Sequence, residues 1–154
     1  MKETIAIASD HAGYQMKLGI IKYLEELGYS SKDYGSSSLR SVNYPDFGHP
    51  LALAVEEGDY RLGISLCGSG NGINMVTNKH QGIRGALCWN REIARLARSH
   101  NDANCLTLGG RILPLDEALH IVKIWLETEF EGGRHQARLD KIKALEKKNF
   151  QHNS

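Results

Sequence analysis

The sequence predicts an α/β fold: an open, mostly parallel five-stranded sheet with helices on both faces and a C-terminal helix. Short β-rich runs alternate with longer helical patterns, and no linker, repeat or low-complexity segment interrupts the alternation. The 154 residues therefore suit a single domain over 1–154, with a core of ordinary size. Hydrophobic residues at 41% and charged residues at 24% are typical of a globular protein.

The N-terminal elements are predicted from their hydrophobic period and from the residues that end them. Residues 4–10 form a strand candidate. Residues 14–27 place apolar side chains on one helical face, and Gly28 ends that helix. A weak strand over 31–35 leads into a polar loop, after which Pro45 can open a second helix.

The second half of the chain continues the alternation. Strands are predicted over 62–67, 83–89 and 104–108, and the glycine-rich segment after the first of them opens a short helix. Longer helices are predicted over 91–99 and 115–129. Five strands separated by helices in this way indicate parallel pairing, because parallel strands need a crossover connection.

Residues 131–150 are predicted to form a C-terminal helical arm, strongly charged and with a thin apolar stripe. Leu139, Ile142 and Leu145 make up that stripe. It can pack on its own domain or lie on a partner subunit. The pattern leaves both interpretations open.

The charge balance and the cysteines exclude several classes of partner. Nineteen basic side chains against 18 acidic ones give a net charge of +1, so neither nucleic acid nor an anionic membrane is an expected partner. No stretch is long and apolar enough to span a bilayer, and the N-terminus meets charge too early for a signal peptide. The three cysteines show no CxxC spacing, which favours free thiols in a reducing cytoplasm.

Polar residues follow three of the predicted strands. Asp10 and His11 follow the first strand, Cys67 and its glycine-rich loop follow the third, and Arg111 follows the fifth. Ligands of open parallel sheets bind beyond the carboxyl ends of strands. A carboxylate, an imidazole, a thiol and a guanidinium are therefore expected at one shared edge. Asp10 can equally cap the helix that follows it.

The glycine-rich loop over 67–72, CGSGNG, is the sharpest single feature. Alternate glycines let the backbone approach a ligand and turn its N–H groups toward a phosphate or an oxyanion. The loop lacks the Gly-Lys-Ser/Thr of a Walker loop and the spacing of a dinucleotide fingerprint, and Ile73 stands where a phosphatase-type loop needs arginine. The alternative is a tight turn between strand and helix.

Cys67 differs from the other two cysteines because it lies at the edge of this loop. A nearby helix N-terminus favours a thiolate, which is a competent base near neutral pH. Cys88 and Cys105 are interpreted as small buried hydrophobic residues. Ser69 can relay a proton, or it can be a turn or capping residue.

Two further groups lie away from this edge. His100, Asn101 and Asp102 follow a helix that runs antiparallel to the strands, so they are expected at the opposite edge of the sheet. They form a turn, or they complete a site in another subunit. Arg134 and Arg138, four residues apart, share a helical face that suits a phosphate dianion, although a solvated basic face is the simpler interpretation of such a pair.

Taken together, the motifs resemble type B ribose-5-phosphate isomerases and the related galactose-6-phosphate isomerase subunits. The matching segments are IAIASDHAG at 5–13, YPDFG at 44–48, CGSGNGI at 67–73, NKHQGIRGALC at 78–88, SHNDANCLTLGGR at 99–111 and EGGRHQARL at 131–139. The resemblance covers nearly the whole chain. It implies a Rossmann-like α/β/α sandwich, a homodimer or a dimer of dimers with its active site at the subunit interface, and an isomerisation through an enediolate that needs no metal and no cofactor.

The resemblance also implies a role for each matching catalytic position. Cys67 takes the proton from the carbon next to the carbonyl, and Ser69 assists proton movement at the oxygens. Asp10 and His100 are linked to the opening of the sugar ring.

Other matching positions are implied to bind the substrate. The backbone N–H groups of the loop around Gly70 to Asn74 are implied to stabilise the enediolate. The substrate-binding positions of this loop are Gly68, Gly70, Asn71, Gly72, Ile73 and Asn74. The side chains that hold the phosphate, contact sugar oxygens or line the pocket are His11, Tyr44, Asn101, Arg111, Arg134 and Arg138.

Two positions narrow the type within the family. One branch lacks the cysteine and carries a glutamate base where this chain has Ile73, so the cysteine branch is indicated. Ser69 stands where many relatives of this branch have threonine, and either hydroxyl can serve. The expected substrates are ribose 5-phosphate and ribulose 5-phosphate. A six-carbon sugar phosphate, such as allose or galactose 6-phosphate, and a non-catalytic sugar-phosphate-binding subunit are the alternatives.

Overall fold

Five parallel strands form one sheet in the order β2-β1-β3-β5-β4 within residues 2–151, the part of the chain that the computed structural model describes. The elements in chain order are β1 (Thr4–Ser9), α1 (Tyr14–Glu26), β2 (Ser30–Asp33), α2 (Pro45–Glu56), β3 (Gly63–Cys67), α3 (Asn71–Thr77), β4 (Gly85–Leu87), α4 (Arg91–Ser99), β5 (Cys105–Gly109), α5 (Leu115–Glu127) and α6 (Arg134–Phe150). The predicted α/β fold with its C-terminal helix is confirmed.

The strand order places a topological switch point between β1 and β3. The chain leaves β1 toward β2 on one side and returns to β3 on the other, so a crevice opens beyond the carboxyl ends of these two strands. Their ends are level, because Ser9 pairs with Leu66. Cys67 in turn pairs with Gly109 at the end of β5. The loops that follow β1, β3 and β5 therefore start at one edge.

The two faces of the sheet carry side chains of different size. On one face, Ile5 and Ile7 of β1 join the main apolar core with α1, α4 and α5, in which Trp125 is fully buried. On the other face, Ala6 and Ala8 pack with α2. The alternation along β1 follows from the two-residue period of a strand. Small residues on the second face let α2 lie close to the sheet.

Two features differ most from their predictions, the length of one strand and the burial of the α6 stripe. The predicted strand over 83–89 pairs only as Gly85–Leu87, because Asn90 caps α4 by accepting a hydrogen bond from the Ile93 N–H at 2.8 Å. The apolar stripe of α6 is divided: Leu139 is buried, whereas Ile142 and Leu145 are 51% and 60% exposed. Among the described residues, no helix has the length and hydropathy that a membrane crossing requires.

Candidate active site

The turn between β1 and α1 carries Asp10 and holds it against β3. The Asp10 Oδ1 atom accepts hydrogen bonds from the N–H groups of Ala12 at 2.9 Å and Gly13 at 3.1 Å, and its residue is buried. A Cβ atom at Gly13 would lie 2.6 Å from the Leu66 Cβ, so only glycine lets the turn approach β3 this closely. Asp10 therefore holds the turn that precedes α1 and does not cap the helix, whose N-cap is Gly13. Its Oδ2 atom has no contact among the described hydrogen bonds.

The loop after β3 turns sharply at Gly70. Its φ of 85° lies in the left-handed region, and a Cβ atom there would lie 2.5 Å from the Leu87 Cδ1. Ser69 is exposed, and its Oγ accepts a hydrogen bond from the Asn71 N–H at 3.2 Å. This is the turn contact that the sequence allowed for Ser69. Cys67, which ends β3, is 5% exposed beside this turn.

The N–H groups of the loop divide into used and unused donors. The Asn74 N–H donates to the Gly70 carbonyl at 3.0 Å, so the prediction that Asn74 presents its N–H to a ligand is wrong. Asn74 lies one turn into α3, where the first intrahelical hydrogen bond forms. Gly72 and Ile73 come earlier in that turn, and their N–H groups have no intrahelical acceptor. They are the donors that an oxyanion can reach.

The side chains of Ile73 and Asn74 have structural contacts instead. Ile73 is fully buried, and its side chain lies against Gly48 of α2. The Asn74 Oδ1 accepts a hydrogen bond from the Thr107 Oγ1 at 3.0 Å, which turns the amide toward β5. Ile73 can therefore serve a ligand only through its backbone, and its N–H has no acceptor among the described hydrogen bonds.

Arg111 joins the same edge from β5. Its backbone N–H donates to the Gly68 carbonyl at 3.0 Å, and the Gly110 N–H donates to the Cys67 carbonyl at 2.8 Å. A Cβ atom at Gly68 would lie 3.4 Å from one terminal nitrogen of Arg111 and 3.7 Å from the Ala12 Cβ. The guanidinium thus lies over Gly68, between the loops after β1 and β3.

The segment between β2 and α2 closes the edge from the side. The ring of Tyr44 covers Gly72, where an added Cβ would lie 2.5 Å from the Tyr44 Cζ. The Val42 N–H donates to the His11 Nδ1 at 3.1 Å. Because a backbone N–H can only donate, Nδ1 of His11 is unprotonated and the ring proton resides on Nε2, where it is available to an anionic ligand.

The three thiols lie in different surroundings. Cys88 and Cys105 are buried, and burial raises the pKa of each thiol to about 12. Both therefore stay protonated at neutral pH, which agrees with their predicted role as small apolar residues. Cys67 directly precedes the glycine-rich loop, and its carbonyl accepts a hydrogen bond from the Gly110 N–H.

His100 and the residues around it form a second cluster, at the amino end of the sheet. His100 ends α4, and its ring stacks on that of His135 with 4.1 Å between centroids and 15° between planes. The loop after it enters β5 at Cys105, which pairs with Gly63 at the start of β3. Four residues of strand separate this end from the other, a distance of about 13 Å. The predicted separation of His100 and Asn101 from Cys67 is confirmed.

The cluster around His100 is positively charged. Arg134 and Arg138 lie four residues apart at the start of α6, and both are exposed. Burial, together with the charges of His100 and Arg134, lowers the pKa of His135. One nitrogen or oxygen each from His100, Glu131 and His135 lie within 4.8 Å of one another, as a metal site would require. The two guanidinium groups make this neighbourhood better suited to an anion than to a metal cation.

Asn101 is exposed and lines an open groove next to this cluster. The cavity has a volume of about 270 Å³ and is walled by Ile83, Ala86, Leu139 and Ile142. Its walls are mainly apolar and lie beside the exposed part of the α6 stripe. Within the described residues, the side chains of the Cys67 edge do not reach this groove.

Three residues that hold the His100–Asp102 loop were not identified from the sequence as a unit. Asp102 has a φ of 46°, unusual for a residue with a side chain, and its carboxylate contacts Arg98 at 3.0 Å and Arg84 at 3.3 Å. Arg98 also donates to the Ala103 carbonyl and lies against the Trp125 ring. Arg84 is distant in sequence from Arg98 and Asp102, and a helix period alone does not show that Arg98 points inward.

Comparison with known proteins decides the family. A family model described as Ribose/Galactose Isomerase matches residues 5–142. The chain belongs to this family. Ribose-5-phosphate isomerase B of Escherichia coli (strain K12) is 41% identical over 144 residues, which cover 94% of the chain and 97% of that relative.

Solved structures of this family have the same fold. A ribose-5-phosphate isomerase B from Clostridium thermocellum superimposes with a TM-score of 0.93 at 49% identity, covering 95% of this chain and 99% of its own. The Mycoplasma genitalium enzyme, solved with bound ribulose-5-phosphate, has a TM-score of 0.91 at 40% identity and covers 96% of this chain and 98% of its own. The chain is accordingly an aldose–ketose isomerase that acts on sugar phosphates.

Proposed function

We propose that the protein interconverts ribose 5-phosphate and ribulose 5-phosphate through an enediolate, with Cys67 as the base. The observation that carries this proposal is that Cys67 ends β3 at the edge of the sheet where two kinds of anion partner lie. The free N–H groups of Gly72 and Ile73 follow it in the same loop, and the Arg111 guanidinium lies over Gly68, the next residue. A base, an oxyanion site and a phosphate anchor are the parts that this reaction needs.

The chemistry at the reacting carbons uses the β3 loop. Cys67 removes the proton from the carbon beside the carbonyl and, once the enediolate has formed, returns it to the former carbonyl carbon. The N–H groups of Gly72 and Ile73 stabilise the negative charge that develops on oxygen. Ser69, which is exposed at the loop, transfers a proton between the two oxygens. General base catalysis typically contributes about 10²–10⁴-fold, and one oxyanion donor about 10²–10³-fold. The Asn71 side chain, exposed at the start of α3, is close enough to the loop to contact the same oxygens.

The phosphate lies away from the reacting carbons and positions them. Within one chain, the ring proton on His11 Nε2 and the Arg111 guanidinium are proposed to hold the phosphate, and Tyr44 forms a wall over Gly72. Binding energy from such a remote group can be used to orient the reacting atoms. A phosphate dianion is matched by more than one guanidinium, and Arg134 and Arg138 are unable to reach it within their own chain.

We therefore propose a homodimer, or a dimer of dimers, in which His100, Asn101, Arg134 and Arg138 of one copy complete the site of the other. Asp10 and the second copy's His100 open the sugar ring, and Asn101 binds sugar oxygens. The chain forms one domain over 1–154, and its helical arm over 131–150 lies on the partner. The exposure of Ile142 and Leu145 beside the apolar groove supports this contact. The protein is proposed to act in the cytoplasm without cofactor or metal.

The test is the interconversion of ribose 5-phosphate and ribulose 5-phosphate by purified protein in excess chelator, with allose 6-phosphate and galactose 6-phosphate assayed in parallel. Fast turnover of the five-carbon pair is expected. Activity confined to a six-carbon sugar would replace the substrate and keep the mechanism. Inactivity on all three aldoses would contradict the proposal.

A cysteine pair gives the matched control for the base. Cys67→Ser is expected to lower kcat at least a hundredfold while calorimetry with ribulose 5-phosphate still shows binding, because the side chain is changed by one atom. Cys105→Ala removes a thiol at the other end of the sheet and is expected to keep turnover within about twofold, since this thiol stays protonated. Loss of binding together with turnover in Cys67→Ser would show that Cys67 is structural.

A further inference from the structure

Lys17 has a buried ammonium group whose contacts include none of the residues assigned to the candidate active site. Lys17 of α1 is fully buried, which is rare for lysine unless its charge is paired. Its Nζ contacts the Asp33 Oδ1 at 2.7 Å and donates a hydrogen bond to the Ser36 carbonyl. It also lies over the Tyr14 ring, 5.4 Å from the centroid. A single lysine thus joins α1 to the end of β2 and to the residues beyond it.

Lys17 contacts the residues at which the chain ends β2 and begins the β2–α2 segment. Asp33 is the last residue of β2, and the same Oδ1 atom that contacts Lys17 accepts the Gly35 N–H at 2.8 Å. Gly35 and Ser36 then bond to β1, because the Ser9 N–H donates to the Gly35 carbonyl and the Ser36 N–H to the Ser9 carbonyl, each at 2.7 Å. Ser9 immediately precedes Asp10. The start of the β2–α2 segment is therefore fixed to α1 and β1 at once.

The rest of this segment is exposed until it reaches the site. Ser37 to Ser41 are all exposed, and the next contacts are the Val42 N–H on His11 and the Tyr44 ring on Gly72. The segment thus has a buried anchor at one end and two contacts with the site at the other. Five exposed residues connect the anchor to these contacts, and their course is fixed only if the anchor holds the first of them in place.

We propose that Lys17 is a positioning residue for the isomerase reaction: it fixes the origin of the β2–α2 segment, so that Val42 holds the His11 ring and Tyr44 covers the glycine-rich loop. The inference rests on the proposed function for its effect on catalysis, but the effect on the segment itself is independent of any substrate. The hydrogen bond from Val42 matters chemically, because it keeps the His11 proton on Nε2, toward the ligand. Without the Lys17 contacts, the Val42 N–H no longer fixes the His11 tautomer, and the Tyr44 ring no longer has a fixed place over the loop.

The alternative role for Lys17 is stabilisation of the fold alone, and the two roles predict different results. If Lys17 is a positioning residue, its replacement speeds amide exchange in the segment and raises KM, while the amides of the sheet stay protected from exchange. A residue that only stabilises the fold raises exchange across the chain and leaves the activity per folded molecule unchanged.

Hydrogen exchange and kinetics on three variants distinguish these roles. Lys17→Met keeps the length of the side chain and removes its charge. Asp33→Asn keeps the acceptor for the Gly35 N–H and weakens the ion pair with Lys17. Lys22→Met is the matched control, because Lys22 is an exposed lysine of the same helix. In Lys17→Met, the hydrogen-bonded amides of Gly35, Ser36 and Val42, which lie within 35–44, are expected to exchange at least tenfold faster, with β3 and β5 unchanged. The variant is also expected to lower kcat/KM at least tenfold, mainly through KM. Asp33→Asn should do the same to a smaller extent, and Lys22→Met should do neither.

The outcomes separate failure of this inference from failure of the proposed function. Unchanged exchange over 35–44 in folded Lys17→Met overturns the inference, as does a uniform rise in exchange with normal kcat/KM. If Lys17→Met does not fold, Asp33→Asn decides by the same criteria. A wild-type protein without isomerase activity would overturn the proposed function, and faster exchange confined to 35–44 would then still support the anchoring of the segment.

Discussion

The two ends of the sheet hold polar clusters that are assembled in different ways. At the carboxyl edge, the loops after three neighbouring strands carry Asp10, Cys67 and Arg111, and backbone hydrogen bonds between these segments hold them together. At the amino edge, side chains of two helices that are distant in sequence meet through the stacked rings of His100 and His135. The first arrangement follows from the topology of any parallel sheet. The second depends on where the chain returns after α5, which topology does not determine.

Each cluster alone lacks part of what the proposed reaction requires. The carboxyl edge has the thiol and a single arginine, whereas the amino edge has an imidazole pair and two arginines but no base that can reach a bound enediolate. Because about 13 Å of strand separates them, one chain cannot combine them. Two copies of the chain can combine the two clusters if the amino edge of one lies against the carboxyl edge of the other.

Mixing two inactive variants with lesions at opposite edges gives the largest expected effect. Cys67→Ser and His100→Ala are each expected to be nearly inactive as homodimers. After subunit exchange at equal concentrations, half of the dimers are mixed, and each mixed dimer has one intact site, so about a quarter of all sites should be active. The measurement is turnover of ribose 5-phosphate, with exchange verified by native mass spectrometry.

The control for this experiment combines two lesions at the same edge. His100→Ala mixed with Arg134→Ala should restore nothing, since each site of a mixed dimer then lacks one of the two groups. Rescue of this pair, or no rescue of the first pair after verified exchange, would contradict a site shared between copies.

The contrast between the edges also explains how much the sequence could predict. The strands, the helices and the convergence of Asp10, Cys67 and Arg111 follow from local periodicity and from one rule about parallel sheets. Their detailed geometry does not. That the Asn74 N–H is used within α3, while that of Ile73 is free, depends on the residue at which the helix begins, which local patterns locate only within a few residues.

The contacts of buried charges were the least predictable part. Lys17 lies in an ordinary amphipathic helix, and only the tertiary structure shows that its ammonium group reaches Asp33 and Ser36. From the sequence alone, Arg98 is an ordinary basic residue in the last turn of α4, where a cation is generally favourable. Its burial against Trp125 follows from the packing of α4 on α5.

Glycine substitutions compare the packing of the two edges, with a smaller effect. Gly70 and Gly132 both have positive φ, 85° and 69°, so alanine is strained by about 1–2 kcal/mol at either position. At Gly70 the new methyl group would also meet Leu87 at 2.5 Å and the Leu108 backbone at 3.2 Å, whereas nothing lies within 4 Å at Gly132. Overpacking adds about 1–3 kcal/mol at Gly70. Urea unfolding should show this difference, and equal losses of stability would mean that the Gly70 turn is as open as Gly132.

The smallest expected effect concerns Cys105, the thiol that begins β5 at the amino edge, and it appears only in alkali. Burial raises the pKa of this thiol to about 12, whereas an unfolded thiol has a pKa of about 8.5. The unfolded chain therefore loses this proton first, so the contribution of Cys105 to stability is complete below about pH 8.5 and falls as pH rises toward 12. Cys105→Ala is expected to be less stable than wild type at pH 7 because of the cavity, and the gap should narrow by about 1 kcal/mol or more by pH 10. Urea unfolding of both proteins from pH 7 to pH 10 measures it, because the other titrating groups are common to both. A constant gap would show that Cys105 ionises as readily in the folded chain as in the unfolded one, and the assignment of an inert thiol to this end of the sheet would be wrong.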